Sequence, residues 1–218
     1  MNDSRASLKL EIRRDITGPI LDIGGGGEGI IGRIYGTQVV AIDRSEEELD
    51  EAPDCCEKRL MDAIDLQFSD RSFDHVTFFY SLMYMNRDEQ RKALREAARV
   101  LRPGGTIHLW DTDIDAAYPE PFVVDLEIVT DRFSVHTSYG IVKKDAQNAD
   151  TILRDLHDLG LKRCRCEKEE GQFRIVGEKP RSNERARKSR ADSKTSNPKA
   201  SPLWTCFFCA DVLIDGVL

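Results

Sequence analysis

Residues 19–29, Pro19-Ile20-Leu21-Asp22-Ile23-Gly24-Gly25-Gly26-Gly27-Glu28-Gly29, pass from an apolar run straight into a cluster of glycines. The run 19–23 is short and rich in branched side chains, as a strand buried on both faces is. Glycine admits backbone torsions that a side chain forbids and lets the chain lie close against a ligand. A strand feeding such a loop is where parallel α/β sheets bind nucleotide-like molecules. By spacing alone, Gly24, Gly26 and Gly29 satisfy the dinucleotide fingerprint, and Asp43 stands where a ribose-binding carboxylate belongs. An NAD(P)-dependent oxidoreductase is one reading of this loop, a non-catalytic cofactor-binding regulator is another, and a ligand-free glycine turn is a third.

The flanking sequence alternates strands and helices. Residues 38–42 read as a second strand ending at Asp43, and Gly29–Tyr35 between them suits only a short helix. A third, edge-like strand is expected at 57–61 and a fourth, apolar on both faces, at 73–80. Residues 87–101 place Ala93, Leu94, Ala97, Ala98 and Leu101 on one helical face, and Pro103-Gly104-Gly105 stops the pattern. A fifth strand follows at 106–110, a helix at 146–159 closed by Gly160, and two last strands at 161–167 and 172–178. This order is the α/β signature. The insertion 111–144 carries two β-rich runs, 122–130 and 132–142, and reads as a hairpin excursion covering the crevice at the strand ends.

Together, LDIGGGGEG, VVAID, MDAIDLQFSDRSFDHVTFFYSLMYM and REAARVLRPGGTIHLWD resemble, in order and spacing, the class I S-adenosylmethionine-dependent methyltransferases, within the branch acting on small molecules. The resemblance covers residues 19–178. It implies a Rossmann-like, seven-stranded, mainly parallel sheet with an antiparallel last strand, helices on both faces and the β-hairpin insertion after strand 5. It also implies S-adenosylmethionine as cofactor. Asp22 would help hold the methionine amino group through the loop, with Gly24 and Gly26 giving the close backbone approach. Asp43 would accept the ribose hydroxyls, Asp62 and Ala63 would meet the adenine, and Tyr80 and Ser81 would line the methionine and methyl region. Glu28 occupies the place of the family's usual third glycine and is expected to point away from the cofactor carboxylate.

Each residue also has a plainer reading. Asp43 suits a helix cap, Asp62 a solvated loop acid, and Met83, Tyr84 and Met85 packing. Tyr84, Asp111, His136 and Tyr139 are the catalytic candidates, groups that orient a nucleophile or move a proton, whereas His108, mid-strand, reads as a core histidine. Asp111, Asp113 and Asp115 alternate as a hard-cation site would, but Phe79-Tyr80-Ser81 supplies no carboxylate at the end of the fourth strand, so no metal is expected.

The net charge of the 218 residues is -7. Residues 179–200 carry +6 and residues 1–178 carry -11, which argues against nucleic-acid binding by the folded part. The expected organisation is a methyltransferase domain at 1–179, a basic, disordered linker at 180–202 and an apolar tail at 203–218. Cys206 and Cys209 in that tail are read as part of an apolar surface for the domain, a homodimer or a partner, rather than as zinc ligands with Cys164 and Cys166. The first eighteen residues show no secretory pattern and no stretch is apolar enough to span a bilayer, so a cytoplasmic location is expected.

Overall fold

The structure, a computed structural model, describes residues 8–115 and 119–181. Tyr118 in the insertion, the linker beyond Arg181 and the tail with Cys206 and Cys209 lie outside the described residues.

In chain order the elements are β1 (Leu8–Glu11), β2 (Ile20–Ile23), α1 (Ile30–Tyr35), β3 (Val39–Asp43), α2 (Glu46–Glu51), β4 (Glu57–Leu60), β5 (Phe73–Phe79), α3 (Arg87–Val100), β6 (Leu101–Thr112), β7 (Phe122–Val129), β8 (Ser134–Ile141), α4 (Ala149–Asp158), β9 (Lys162–Glu169) and β10 (Gln172–Glu178). Seven strands form one sheet in the order β4-β3-β2-β5-β6-β10-β9. The strands from β4 to β6 run parallel, and β10 is antiparallel to both its neighbours. All four residues of β2 are buried, as a central parallel strand requires. The chain leaves β2 toward β3 on one side and returns to β5 on the other. Strand order therefore reverses beside β2, and a crevice opens at the carboxyl ends of β2 and β5.

Local signals set the helix ends. Asn86 caps α3 in a capping box with Glu89, and Ser45 accepts from the Glu48 amide at the start of α2. The helix α3 ends at Val100, ahead of Pro103, and β6 already begins at Leu101.

Apolar layers cover both faces of the sheet. On one face Leu94, Ala97, Ile152 and Leu156 of α3 and α4 pack against Ile23, Phe78, Ile107 and Leu109. On the other, Ile31 and Ile34 of α1 share a core with Phe79 and Trp110, and the rest of this layer comes from strands. Val124, Leu126 and Ile128 of β7 turn inward onto it. The second face is thus covered by a helix and a small sheet, where helices were expected on both faces and the 111–144 hairpin was expected over the crevice. That small sheet has the order β1-β7-β8. The segment Leu8–Glu11 pairs in parallel with β7, Leu8 opposite Leu126, and joins the β7–β8 antiparallel pair as a third strand. Among the described residues no helix is long and apolar enough to cross a membrane.

Candidate active site

The glycine loop after β2 is held by its backbone. The amides of Gly24 and Gly25 both donate to the Ile42 carbonyl, and that of Gly27 donates to the Glu48 carbonyl. Gly24 has φ +75° and lies against Ser81, so that a Cβ on Gly24 would overlap that of Ser81. A Cβ on Gly26 would stand 2.6 Å from Glu48 Cβ. Both positions need glycine because the chain passes between two other segments there. Gly29, with φ +56°, is the N-cap of α1.

This loop forms one wall of a cleft of about 700 Å³ at the carboxyl ends of β2, β3, β4 and β5. Asp22, Gly24, Gly26, Asp43, Asp62, Ala63, Tyr80 and Ser81 all line it, as do Tyr84 and Tyr139. Asp22 is buried beneath the loop. Its Oδ1 accepts a 2.6 Å hydrogen bond from Thr77, and its Oδ2 lies 2.5 Å from where a Gly25 Cβ would stand. Burial raises its pKa to about 7, partly offset by the Thr77 bond. Asp43 Oδ1 accepts from the Ser45 amide, while the cap of α2 is Ser45 itself. Asp62 is exposed, accepts from the Ile64 amide and turns the chain so that Ala63 is buried in the wall.

Tyr80 follows β5 with φ +49°, a left-handed conformation costly for a side chain. It is buried, its amide donates to the Trp110 carbonyl and its hydroxyl to Gln172 Oε1. Its ring stacks on that of Tyr139 with centroids 5.3 Å apart. Burial holds both phenols above their ordinary range.

Two catalytic candidates stand elsewhere. Asp111 is fully buried and outside the cleft lining; it accepts from the amides of Thr112 and Met83 and from Gln147 Nε2. Burial raises its pKa to about 7 as well, but these bonds make it an anchor between β6, the Met83 turn and the start of α4. His136 projects from the exposed side of β8, because strand side chains alternate and its neighbours Thr137 and Tyr139 take the inner side. His108 is a core residue, its Nε2 2.8 Å from Thr106 Oγ1. The alternating aspartates diverge, for Asp113 accepts from the Ala149 amide and pairs with Lys168.

Glu28 points onto the small sheet, accepting from Thr137 Oγ1 and, at 3.0 Å, from Tyr139 Oη. Of the insertion, Ser138 and Tyr139 reach the cleft, whereas Phe122 and Phe133 do not line it. Sequence reasoning passed over Glu48, Glu51, Met61 and Glu89, which also line the cleft. The signal for Glu48 was the acidic run after Ser45, a capping residue followed by a carboxylate-rich first turn. Seven carboxylates line this cleft, and Arg44 is the cationic side chain among its described lining residues. Its field favours a ligand with positive charge.

Residues 21–109 match the family described as a methyltransferase domain. Over 114 residues the chain is 35% identical to an O-methyltransferase, resE, of Aspergillus sclerotiorum, covering 47% of this chain and 42% of that one. The chain spans less than half the length of the curated relatives it matches. Among solved structures, a Methanosarcina mazei S-adenosylmethionine-dependent methyltransferase is 20% identical with a TM-score of 0.51, covering 75% of this chain and 93% of that one. A Thermotoga maritima protein described as a possible histamine N-methyltransferase is 16% identical with a TM-score of 0.56, covering 75% and 83%. The fold of these two is the fold found here. The matched residues 21–109 include the glycine loop and most of the described lining of the cleft, so the part of the chain similar to methyltransferase domains is the part that builds this cleft.

Proposed function

We propose that this protein transfers a methyl group from S-adenosylmethionine to a small, uncharged, largely apolar acceptor. The observation that carries the reading is the convergence of the Gly24–Gly26 cradle, Asp43 and the Asp62–Ala63 turn on one cleft with an acidic lining. When bound, the cofactor supplies a sulfonium-activated methyl group. The chain's own task is to hold that group, align the acceptor and keep water out.

In this reading Asp43, at the end of β3, accepts the two ribose hydroxyls, and Asp62 and Ala63 flank the adenine. Gly24 and Gly26 let the backbone meet the methionine end, Asp22 polarises the loop from below, and Tyr80 and Ser81 border the methyl group. Phe79, Tyr80, Tyr84, Met85 and Tyr139 also line the cleft, and in this reading an acceptor lies against them. They give aromatic and thioether surface, and Glu28 and Glu89 line the same cleft, which disfavours an anionic acceptor. Tyr84 and Tyr139 remain as groups able to orient the acceptor. The proposed domain runs to Lys179, whose amide donates to Gly105 just past the end of β10. The free thiols of Cys55, Cys56, Cys164 and Cys166 suit a cytoplasmic setting.

Incubation with S-adenosylmethionine and a panel of small, uncharged hydroxylated aromatic acceptors, read by mass spectrometry, tests the proposal. A mass gain of one methyl group in any acceptor, with S-adenosylhomocysteine released in equal amount, supports it. Unchanged panels, with no binding of the cofactor by calorimetry, would count against it.

A further inference from the structure

Glu28 lies between Gly27 and Gly29, whose φ values of +58° and +56° fix the direction of the intervening residue. Its carboxylate reaches across to β8, more than a hundred residues away in sequence. There Oε1 accepts from Thr137 Oγ1 and Oε2 accepts from Tyr139 Oη at 3.0 Å. The bond that Tyr139 donates to Glu28 leaves its ring free to stack on Tyr80, whose own hydroxyl is tied to Gln172 of β10. One end of this chain of contacts is the loop that would hold a cofactor, and the other is the aromatic wall where an acceptor would lie. A hydrogen bond to a charged carboxylate is worth more than one between neutral groups.

We propose that Glu28 is a positioning residue that fastens β8 to the glycine loop and thereby fixes the Tyr139 ring as a wall of the acceptor end of the cleft. The inference rests on the proposed function for what occupies the cleft, but not for the fastening itself. A surface acid that merely satisfied two hydroxyls would leave the loop and β8 to fluctuate independently. With the fastening, order imposed on the loop passes to β8. Burial, followed by the adjacent Glu28 charge, holds the Tyr139 phenol above its ordinary range, so it stays a donor throughout neutral pH.

Hydrogen exchange of the full chain, read by mass spectrometry on peptides covering Ser134–Ile141, tests this. Without ligand, Y139F should exchange those amides about tenfold faster than the parent, the loss of one charge-assisted bond, and E28A, which loses both bonds, at least as fast as Y139F. The double variant E28A/Y139F should be no faster than E28A, since both changes break the same link. E28Q, which keeps one acceptor oxygen, should fall between E28A and the parent, and T137V, which leaves Glu28 intact, should do so too. Added S-adenosylhomocysteine should slow both the loop and β8 in the parent, but only the loop in E28A. Exchange of β8 in E28A within twofold of the parent, additive effects in the double variant, or equal slowing of β8 by S-adenosylhomocysteine in E28A would each overturn the proposal. If S-adenosylhomocysteine leaves the parent loop unchanged while the ligand-free differences hold, the cofactor reading fails and the fastening stands.

Discussion

Gly24 and Ser81 meet at the carboxyl ends of β2 and β5, with Gly24 at φ +75° and its Cα where a side chain would collide with Ser81 Cβ. Ser81 cannot move aside freely, because its Oγ donates at 2.7 Å to the Ile23 carbonyl. Gly24→Ala therefore meets both an unfavourable backbone and a steric overlap. It should lose at least about 1 kcal/mol of stability, measured by urea unfolding. Ser81→Gly in the same chain should restore part of the loss, since it removes the colliding atom but not the torsional cost. No recovery in the double variant would mean that the collision is not the reason glycine stands there.

Asp43 lines the cleft with one oxygen engaged by the Ser45 amide and the other turned toward Gly26. In the proposed role it accepts from two ribose hydroxyls. Asp43→Ala should then weaken S-adenosylmethionine binding by about 1–3 kcal/mol, the cost of charge-assisted bonds left unmade. Calorimetry on a variant with parent-like circular dichroism gives the answer. An unchanged affinity would remove Asp43 from the ribose site.

The central strands β2 and β3 of the main sheet were legible because each is a short branched apolar run ended by glycine or a carboxylate. β1 was not. Leu8–Glu11 alternates for only four residues inside a charged stretch, and its reason to be a strand is a partner at Leu126–Val129, far along the chain. The bounds of α2 were not legible for a similar reason, since Glu46–Glu51 has Leu49 as its lone buried residue and its cap is Ser45 rather than the Asp43 expected to cap that helix. The glycine loop was legible as a place where the chain is tightly constrained, because the backbone at Gly24 and Gly26 leaves no room for a Cβ. His136 and Asp111 show where this ends. A side chain at a strand end faces the cleft, the core or solvent according to register and parity, which a single sequence does not display.

Asp22 should make cofactor affinity depend on pH. Burial raises its carboxyl to about 7 from an ordinary 3.8, so the folded protein holds a proton there that the unfolded chain releases. That contribution to stability is complete below about pH 4 and is lost as pH rises through 7. A cationic ligand above the loop favours the ionised form, so binding expels the proton and affinity rises from pH 6 to pH 8. Asp22→Asn should flatten this dependence, and calorimetry in buffers of different ionisation enthalpy should show the proton release disappear. A slope that persists in the variant would assign the titration to another group.

Leu126 tests what the small sheet does. It is 1% exposed and packs in the layer with Trp110 and Ile128. Leu126→Ala should cost about 2–5 kcal/mol, measured by denaturant unfolding. For the same reason, replacing residues 116–140 with a flexible linker should destabilise the domain rather than remove a separable cover. A linker variant that unfolds at the parent's midpoint would show that this layer is dispensable.

The cleft beside Gly24 and Asp43 should hold S-adenosylmethionine and not a nicotinamide dinucleotide. Isothermal titration of the intact chain with S-adenosylmethionine, S-adenosylhomocysteine, NADH and NADPH compares the candidates under one set of conditions. The first two should bind saturably one-to-one, more weakly in Asp43→Ala, and neither dinucleotide should give saturable heat. Saturable binding of NADH or NADPH with none of S-adenosylmethionine would contradict this assignment.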